Sequence, residues 1–205
     1  MLLIDELERL RSILLHMAEH THKVMIKTSE LFNESNTSVR ESLWREIDEI
    51  SSILDRIRRE FVNEVLVFIA RRQPLGKELL IAHTLISIAY DVYRISRYCR
   101  EIARIDIMLT PESIASIKGA SEMFRYAIKA VENALKDLVE LKPVNERAIL
   151  EIDNNVDTQY RALLKEVISR EYVDRSTSLK VLIMRHIERI VDHANYIEDH
   201  LKLLT

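Results

Sequence analysis

Apolar residues recur at intervals of three and four along six stretches of the chain, with polar connections between them. Residues of an α-helix advance by about 100° each, so this spacing lines one face of a helix. The pattern therefore predicts six helices. In chain order they are expected at residues 4–32, at residues 39–72, after Pro74, from Thr110 to before Pro143, from near Asn145, and from a cap at Ser176 or Thr177.

The composition is that of a helical protein. The chain has only two glycines and three prolines, while 47% of its residues are hydrophobic and 31% are charged. These values favour an all-α protein with a substantial core. Helices that are joined by short connections pack as antiparallel neighbours, so the six helices are expected to form bundles.

The chain also divides into two similar halves. Each half has an Arg-Ile pair in the last of its three helices, at Arg94-Ile95 and at Arg189-Ile190. A repeat of about 100 residues predicts a tandem architecture. We therefore expect two tandem antiparallel three-helix bundles, the first formed by residues 1–109 and the second by residues 110–205.

Charge and composition narrow the classes of function. The net charge of −3 gives no indication of nucleic-acid binding. The single cysteine excludes an intramolecular disulfide, and no apolar run approaches the roughly 20 residues of a membrane span. Met1 is followed by three apolar residues and then by charge, so no signal peptide is expected. The sequence predicts a soluble, cytoplasmic protein.

The last predicted helix carries polar residues on the side opposite its apolar stripe. They are Glu188, Asp192, Asn195 and Asp199, and the pattern predicts that they face outward. Glu188 and Asp192 are four residues apart, so their carboxylates lie one turn from each other. Two adjacent like charges repel, and a cation or a neighbouring basic residue would relieve the repulsion.

Three segments resemble the signature motifs of one family. Residues 188–194, Glu-Arg-Ile-Val-Asp-His-Ala, resemble Glu-Arg-Ile-Gly/Ala-Asp-His-Ala. Residues 153–160, Asp-Asn-Asn-Val-Asp-Thr-Gln-Tyr, resemble Asp-x-x-Val-Asp-x-x-Tyr. Residues 69–75, Ile-Ala-Arg-Arg-Gln-Pro-Leu, resemble Leu-Ala-Arg-Gln-Gln-Pro-Val. These are motifs of the PhoU family of phosphate transport regulators, and the likeness covers nearly the whole chain.

The resemblance implies a fold and a role. The family has two three-helix bundles and is usually dimeric, so it implies a homodimer with the architecture predicted above. It also implies a cytoplasmic regulator that restrains phosphate uptake and the response to phosphate starvation. Such a regulator contacts the ATPase of the phosphate transporter and, in bacteria, a sensor kinase, and it reaches the membrane only through the transporter. Some members carry iron or zinc clusters on surface Glu/Asp-x-x-x-Asp motifs.

The resemblance places a metal motif on four residues of the second half. Asp153 and Asp157 match one acidic pair, and Glu188 and Asp192 match the other. Carboxylates on facing helices form a hard-oxygen site suited to Fe, Mn, Zn or Mg. The resemblance thus implies a metal site at these four residues, with iron or zinc as the expected metal, and mutual repulsion predicts a raised pKa for some of them.

The first half departs from this motif. Ser51 and Asp55 occupy the positions of the first acidic pair, and Tyr93 and Arg97 occupy those of the second. A guanidinium cannot ligate a cation, so no metal site is expected there. We predict instead that Arg97 lies near Asp55 and supplies the positive charge that a metal would bring.

Several candidate residues have simpler structural interpretations. Acidic pairs four apart on a helix are usually solvated, and a basic stripe such as that of Arg100 and Arg104 is usually an ion-paired face, with an anion site or a partner contact as the alternative. His16 and His20 have the spacing of a zinc pair, but no mate is identifiable, so we interpret them as solvated. Cys99 lies on a core stripe and is predicted to be buried.

Three functional hypotheses follow. The first is a PhoU-like regulator that is not an enzyme and acts by docking on a phosphate transporter subunit, or, as a close alternative, an accessory protein of another phosphate permease. The second is a di-metal carboxylate enzyme, which would need two Glu-x-x-His motifs that project into one core. The chain has one such spacing, at Glu19 and His22, on the outer face of the first helix. The third is a purely structural helical module.

Overall fold

The computed structural model describes residues 2–204, and their side chains from residue 6 onward, as an all-helical protein. Six α-helices and one short 3₁₀-helix are present in these residues. The α-helices are α1 (Leu2–Leu31), α2 (Thr37–Arg72), α3 (Lys77–Met108), α4 (Ala120–Glu140), α5 (Glu146–Ile168) and α6 (Arg175–Lys202), and the 3₁₀-helix is Ile114–Ser116. The predicted all-α fold class is confirmed.

The helices form two antiparallel three-helix bundles. Helices α1, α2 and α3 pack on one another, and helices α4, α5 and α6 do the same. The two bundles join where α3 packs on α6 and where α1 contacts α4. Buried apolar residues from all six helices, such as Leu14, Leu54, Ile95, Phe124 and Ile190, form one continuous core.

Two predicted helix starts are displaced by a few residues. The third helix begins at Lys77 rather than directly at Pro74, because Gln73 turns into the left-handed region and closes α2 through a bond to the Ile69 carbonyl. The sixth helix is capped by Asp174, whose side chain accepts a hydrogen bond from the Thr177 amide at 2.9 Å, and not by Ser176 or Thr177. Asp174 is the stronger cap because its charged oxygen lies at the positive end of the helix dipole.

The predicted start of the fourth helix at Thr110 is wrong. The chain instead crosses the end of the first bundle as the 3₁₀-helix, and α4 begins only at Ala120. Ile114 and Ile117 are buried in this crossing, and the Ile114 amide donates to Asp106 Oδ1 at 2.9 Å. Burial of these two side chains outweighs the local helix-start signal of the Thr-Pro-Glu sequence.

A buried polar joint connects the bundles. Asp91 of α3 lies 2.7 Å from His193 Nδ1 and 3.2 Å from His200 Nε2, both on α6. The Tyr98 ring, two turns further along α3, packs against His186 and His193. Residues later in α3 thus contact residues earlier in α6, so the two helices run antiparallel.

No helix within residues 2–204 is both long enough and apolar enough to cross a membrane.

Candidate metal centre between helices α5 and α6

The acidic residues of α6 are more buried than the sequence predicts. Glu188 is only 5% exposed and the Asp192 side chain only 13% exposed, whereas the prediction placed both outward. The prediction is wrong because α6 packs on α3, α4 and α5 at once, so that little of its circumference remains open to water. Asp199, at the end of the same stripe, is exposed as predicted.

Three of the four predicted metal ligands come together. One carboxylate oxygen each from Asp157, Glu188 and Asp192 lies within 4.8 Å of the others. Asp153 is one turn before Asp157 on α5, and the charges of these two residues both contribute to the raised pKa of Asp192. We call these four residues the carboxylate cage. Within residues 6–204, no other group of three His, Cys, Asp or Glu side chains is this close.

Three arginines surround the carboxylate cage, and sequence reasoning missed them. Arg161 pairs with Asp157 at 2.5 Å, and Arg185 pairs with Glu188 at 2.6 Å. Arg189 pairs with both Glu188 and Asp192. Arg161 and Arg185 lie four and three residues from their acids, and Arg189 lies three residues from Asp192. The spacing that marks ion pairs on a helix was therefore present in the sequence.

Two residues of the carboxylate cage, Asp153 and Asp192, have raised pKa values, as predicted, but with a different leading cause. Burial raises the pKa of Asp192 to about 7, the negative charge of Glu188 adds to this effect, and Arg189 opposes it. Burial likewise raises the pKa of Asp153, followed by the charges of Asp157 and Glu188. Loss of solvent is thus the largest single cause of the raised pKa values of Asp153 and Asp192, ahead of the charge of any one neighbouring acid.

The residues present fit a metal ion. Carboxylate oxygens are hard ligands, and their number and separation allow a bound cation to touch several at once. Asp192 Oδ2 is a buried oxygen that accepts no hydrogen bond from a described residue, although Arg189 Nη2 lies 2.5 Å away as an ion pair. Charge, and not an aligned hydrogen bond, therefore holds Arg189 at this oxygen, where a metal cation would compete with it.

In the first half, the position equivalent to the carboxylate cage is occupied by ion pairs, but the predicted pair of Arg97 with Asp55 is not among them. Asp55 pairs with Arg58 at 3.0 Å and with Arg59 at 3.1 Å on its own helix. Arg97 pairs instead with Glu101 at 3.3 Å, so the prediction that Arg97 neutralises Asp55 is wrong. The Arg58 guanidinium fills this position, because it also lies over the Tyr93 ring, 5.0 Å from the ring centroid.

The remaining first-half positions support the simpler interpretation. Ser51 is buried. Arg100 pairs with Asp48 at 2.5 Å, and Arg104 pairs with Glu101 at 3.1 Å. The basic stripe of α3 is thus an ion-paired face, and it is not a row of unpaired cations.

The other metal candidates are not assembled into sites. The rings of His16 and His20 are 4.5 Å apart, but no carboxylate or third histidine among the described residues completes a ligand set with them. His22 lies 3.3 Å from Glu132, across the surface between α1 and α4. Cys99 is buried as predicted, and burial raises the pKa of its thiol to about 12.

Comparison with known proteins agrees with the motifs and the fold. The family model of the PhoU domain matches residues 14–105, which run from within α1 to near the end of α3. A Thermotoga maritima protein named phosphate-specific transport system accessory protein PhoU homolog 1 is 28% identical over 84% of this chain and 78% of its own length. Residues 14–105 are thus similar to the PhoU domain, and the chain as a whole is similar to proteins named PhoU homologues. A Clostridium acetobutylicum PhoU homologue with the same type of name is 24% identical over 98% of this chain and 93% of its own length.

Solved PhoU structures share the fold. The crystal structure of PhoU from Pseudomonas aeruginosa superposes with a TM-score of 0.83 at 22% identity, over 98% of this chain and 97% of that one. The phosphate transport system regulatory protein PhoU from Streptococcus pneumoniae gives a TM-score of 0.82 at 18% identity, over 98% and 96%. At these identities the likeness establishes the architecture of two three-helix bundles.

Proposed function

We propose that this protein is a PhoU-like cytoplasmic regulator of phosphate uptake and phosphate homeostasis that binds a subunit of a phosphate transporter. The observation that carries the proposal is the match of residues 14–105 to the PhoU domain, together with relatives that are named as accessory proteins of the phosphate-specific transport system. The partner we infer is the ATPase of the phosphate transporter or another phosphate permease subunit. A sensor kinase is a second inferred partner.

A groove between the bundles offers a surface for this partner. It measures about 640 Å³ and lies between α1 and α4. Leu15, Ala18, Leu135 and Val139 line its apolar part. Val139 is 50% exposed in the isolated chain, and an apolar floor with a charged rim suits the insertion of a partner side chain or helix.

Affinity purification from solubilised host membranes tests the partner. The tagged wild-type chain is expected to retain the transporter ATPase, as identified by mass spectrometry. Val139→Glu should reduce the retained ATPase at least about tenfold, because it places a charge in an apolar contact. Val67→Glu is the matched control, since Val67 is similarly exposed, at 53%, but lies on α2 away from the groove. Retention of a different phosphate permease would favour the alternative, and no transporter subunit at all would refute the proposal.

We further propose that Asp153, Asp157, Glu188 and Asp192 hold iron or zinc. The bound ion would offset the charges of the carboxylate cage and tie α5 to α6. The di-metal enzyme is less well supported. Its one Glu-x-x-His spacing, Glu19 and His22, lies on α1, and His22 contacts Glu132 rather than the carboxylate cage.

The double substitution Glu188→Gln and Asp192→Asn should lower zinc affinity by about 100-fold, since it removes two negatively charged ligands. Isothermal titration calorimetry at pH 7.5 measures the change. The control is Asp48→Asn with Glu101→Gln, which removes two acids from the first half. Equal zinc affinity in the double variant and the wild type would rule out the proposed site.

We also infer a homodimer from the resemblance to the PhoU family. Light scattering at micromolar concentration should give twice the 24.1 kDa mass of the chain. A monomeric mass across the measured concentrations would contradict the inference.

A further inference from the structure

Arg189 holds two members of the carboxylate cage at once. Its Nε donates to Glu188 Oε2 at 2.8 Å and its Nη2 donates to Glu188 Oε1 at 3.0 Å. The same Nη2 lies 2.5 Å from Asp192 Oδ2. Arg161 and Arg185 each pair with one acid of the carboxylate cage. Arg189 is therefore the arginine that contacts two of the proposed metal ligands at once.

The first half contains a natural comparison for this arginine. Arg94 occupies the same place in the Tyr-Arg-Ile-Ser-Arg segment that Arg189 occupies in Glu-Arg-Ile-Val-Asp. Its guanidinium lies over the Tyr98 ring at 4.7 Å and over the Tyr90 ring at 5.9 Å, and it pairs with no carboxylate among the described residues. The acids of the second half, and not the helix position, thus draw Arg189 into the carboxylate cage.

We propose that Arg189 is a tethered counter-ion that occupies the carboxylate cage without metal and leaves it when a divalent cation binds. This inference rests on the metal site proposed above. Arg189 sets the metal affinity of the site, because each binding event must first break its contacts with Glu188 and Asp192. Its departure also converts metal binding into a change of charge on the surface between α5 and α6.

Charge balance supports the exchange. Fully ionised, the carboxylate cage has four negative charges facing the three positive charges of Arg161, Arg185 and Arg189. A divalent ion added to all three arginines would leave an excess of positive charge in a largely buried place. If Arg189 leaves, the ion together with Arg161 and Arg185 neutralises the four acids. The Arg189 side chain is 30% exposed, so a rotation brings its guanidinium into water.

Zinc titration of substituted proteins tests the exchange. Arg189→Gln should bind Zn²⁺ about tenfold more tightly than the wild type, because the competing cation is absent. Arg189→Lys keeps a competing charge and should stay near the wild-type affinity. Arg94→Gln is the matched control and should not change the affinity. Circular dichroism of each variant verifies that the helices are intact before titration.

Arginine side-chain NMR supplies a readout that does not depend on affinity. In the ¹H–¹⁵N spectrum, the Nε–H signal that is absent from Arg189→Gln should shift when Zn²⁺ is added to the wild type, since it loses its bond to Glu188. The Nε–H signal assigned by Arg94→Gln should stay in place.

The outcomes separate the two proposals. If Zn²⁺ binds the wild type and Arg189→Gln equally and the Arg189 signal stays in place, the metal site stands and the counter-ion inference is overturned. Weaker binding by Arg189→Gln would overturn it as well, because Arg189 would then support the ligands. If Zn²⁺ binds neither protein, the metal site and the inference built on it both fail.

Discussion

Asp106→Asn is expected to lower the free energy of unfolding by about 3–5 kcal/mol, because it leaves the buried Arg40 guanidinium without a counter-charge. Both side chains are fully buried, and Arg40 Nε lies 2.8 Å from Asp106 Oδ2. Arg40 also donates to the Asp106 carbonyl at 2.7 Å and to the Pro111 carbonyl at 3.3 Å. This ion pair joins α2, the end of α3 and the crossing that precedes α4, so its loss should loosen the link between the bundles.

Urea denaturation measures this change, and an exposed pair on the same two helices provides the control. Asp48→Asn breaks the pair between Asp48 of α2 and Arg100 of α3, whose side chains are 35% and 28% exposed. It should cost about 1 kcal/mol or less. Adding Arg40→Met to Asp106→Asn removes the unpaired charge, so the double variant should lose less than the sum of the single losses. A loss below about 1 kcal/mol for Asp106→Asn would show that Arg40 is not held as an uncompensated charge.

Glu198→Gln is expected to stabilise the protein in alkaline solution by about 2–4 kcal/mol relative to the wild type. Glu198 is fully buried, and neither of its carboxyl oxygens accepts a hydrogen bond from a described residue. Burial raises its pKa from 4.5 to about 8, and the charge of Asp137 and a carboxyl–carboxylate bond with Asp137 add to this effect. Asp137 is held as an acceptor by the backbone and side-chain amides of Asn145, at 2.5 and 2.6 Å.

The direction of the pH effect follows from the Glu198 proton, which the folded protein retains to a higher pH than the unfolded chain does. The folded protein keeps the Glu198 proton up to about pH 8, whereas the unfolded chain releases it near pH 4.5. The stability that the neutral carboxyl contributes is therefore complete below pH 4.5 and is lost as the pH rises through 8. A glutamine side chain keeps a donor toward Asp137 and does not ionise, so its stability should not fall in this way.

Thermal unfolding from pH 5 to pH 9 measures the difference between the two proteins. The melting temperatures of the wild type and Glu198→Gln should agree at pH 5 and diverge as the pH rises. Asp199→Asn is the control, because Asp199 is the next residue on α6 and its side chain is 55% exposed. Parallel curves for the wild type and Glu198→Gln across this range would disprove the predicted proton retention.

The two halves of the fold carry opposite charges at equivalent positions. The second half groups acids between α5 and α6, where burial holds the pKa of Asp192 at about 7. The first half places Arg58 over Tyr93 and pairs Asp55 with arginines of its own helix. If metal binds as proposed, it therefore acts on one bundle only, and the joint formed by Asp91 and His193 connects that bundle to the other.

Local sequence patterns determined the helices and the candidate ligands. The spacing of apolar residues placed all six helices, because burial of one stripe is what keeps each of them folded. The acidic spacing on α5 and α6, read with the family motifs, identified Asp157, Glu188 and Asp192, which the fold brings within 4.8 Å of one another. Residues one turn apart on a helix share a face in any helical fold, so the two acids of each pair are adjacent however the helices pack.

Tertiary structure decided which side of each helix meets water and which charges meet one another. Glu188 is buried because α6 packs on three helices, and a stripe pattern cannot reveal how many neighbours a helix has. The chain between residues 110 and 119 forms a short 3₁₀-helix and no α-helix, because Ile114 and Ile117 reach a core that residues distant in sequence create. Asp91 and His193, like Arg40 and Asp106, are far apart in sequence, so only the packed fold brings them together and makes their burial favourable.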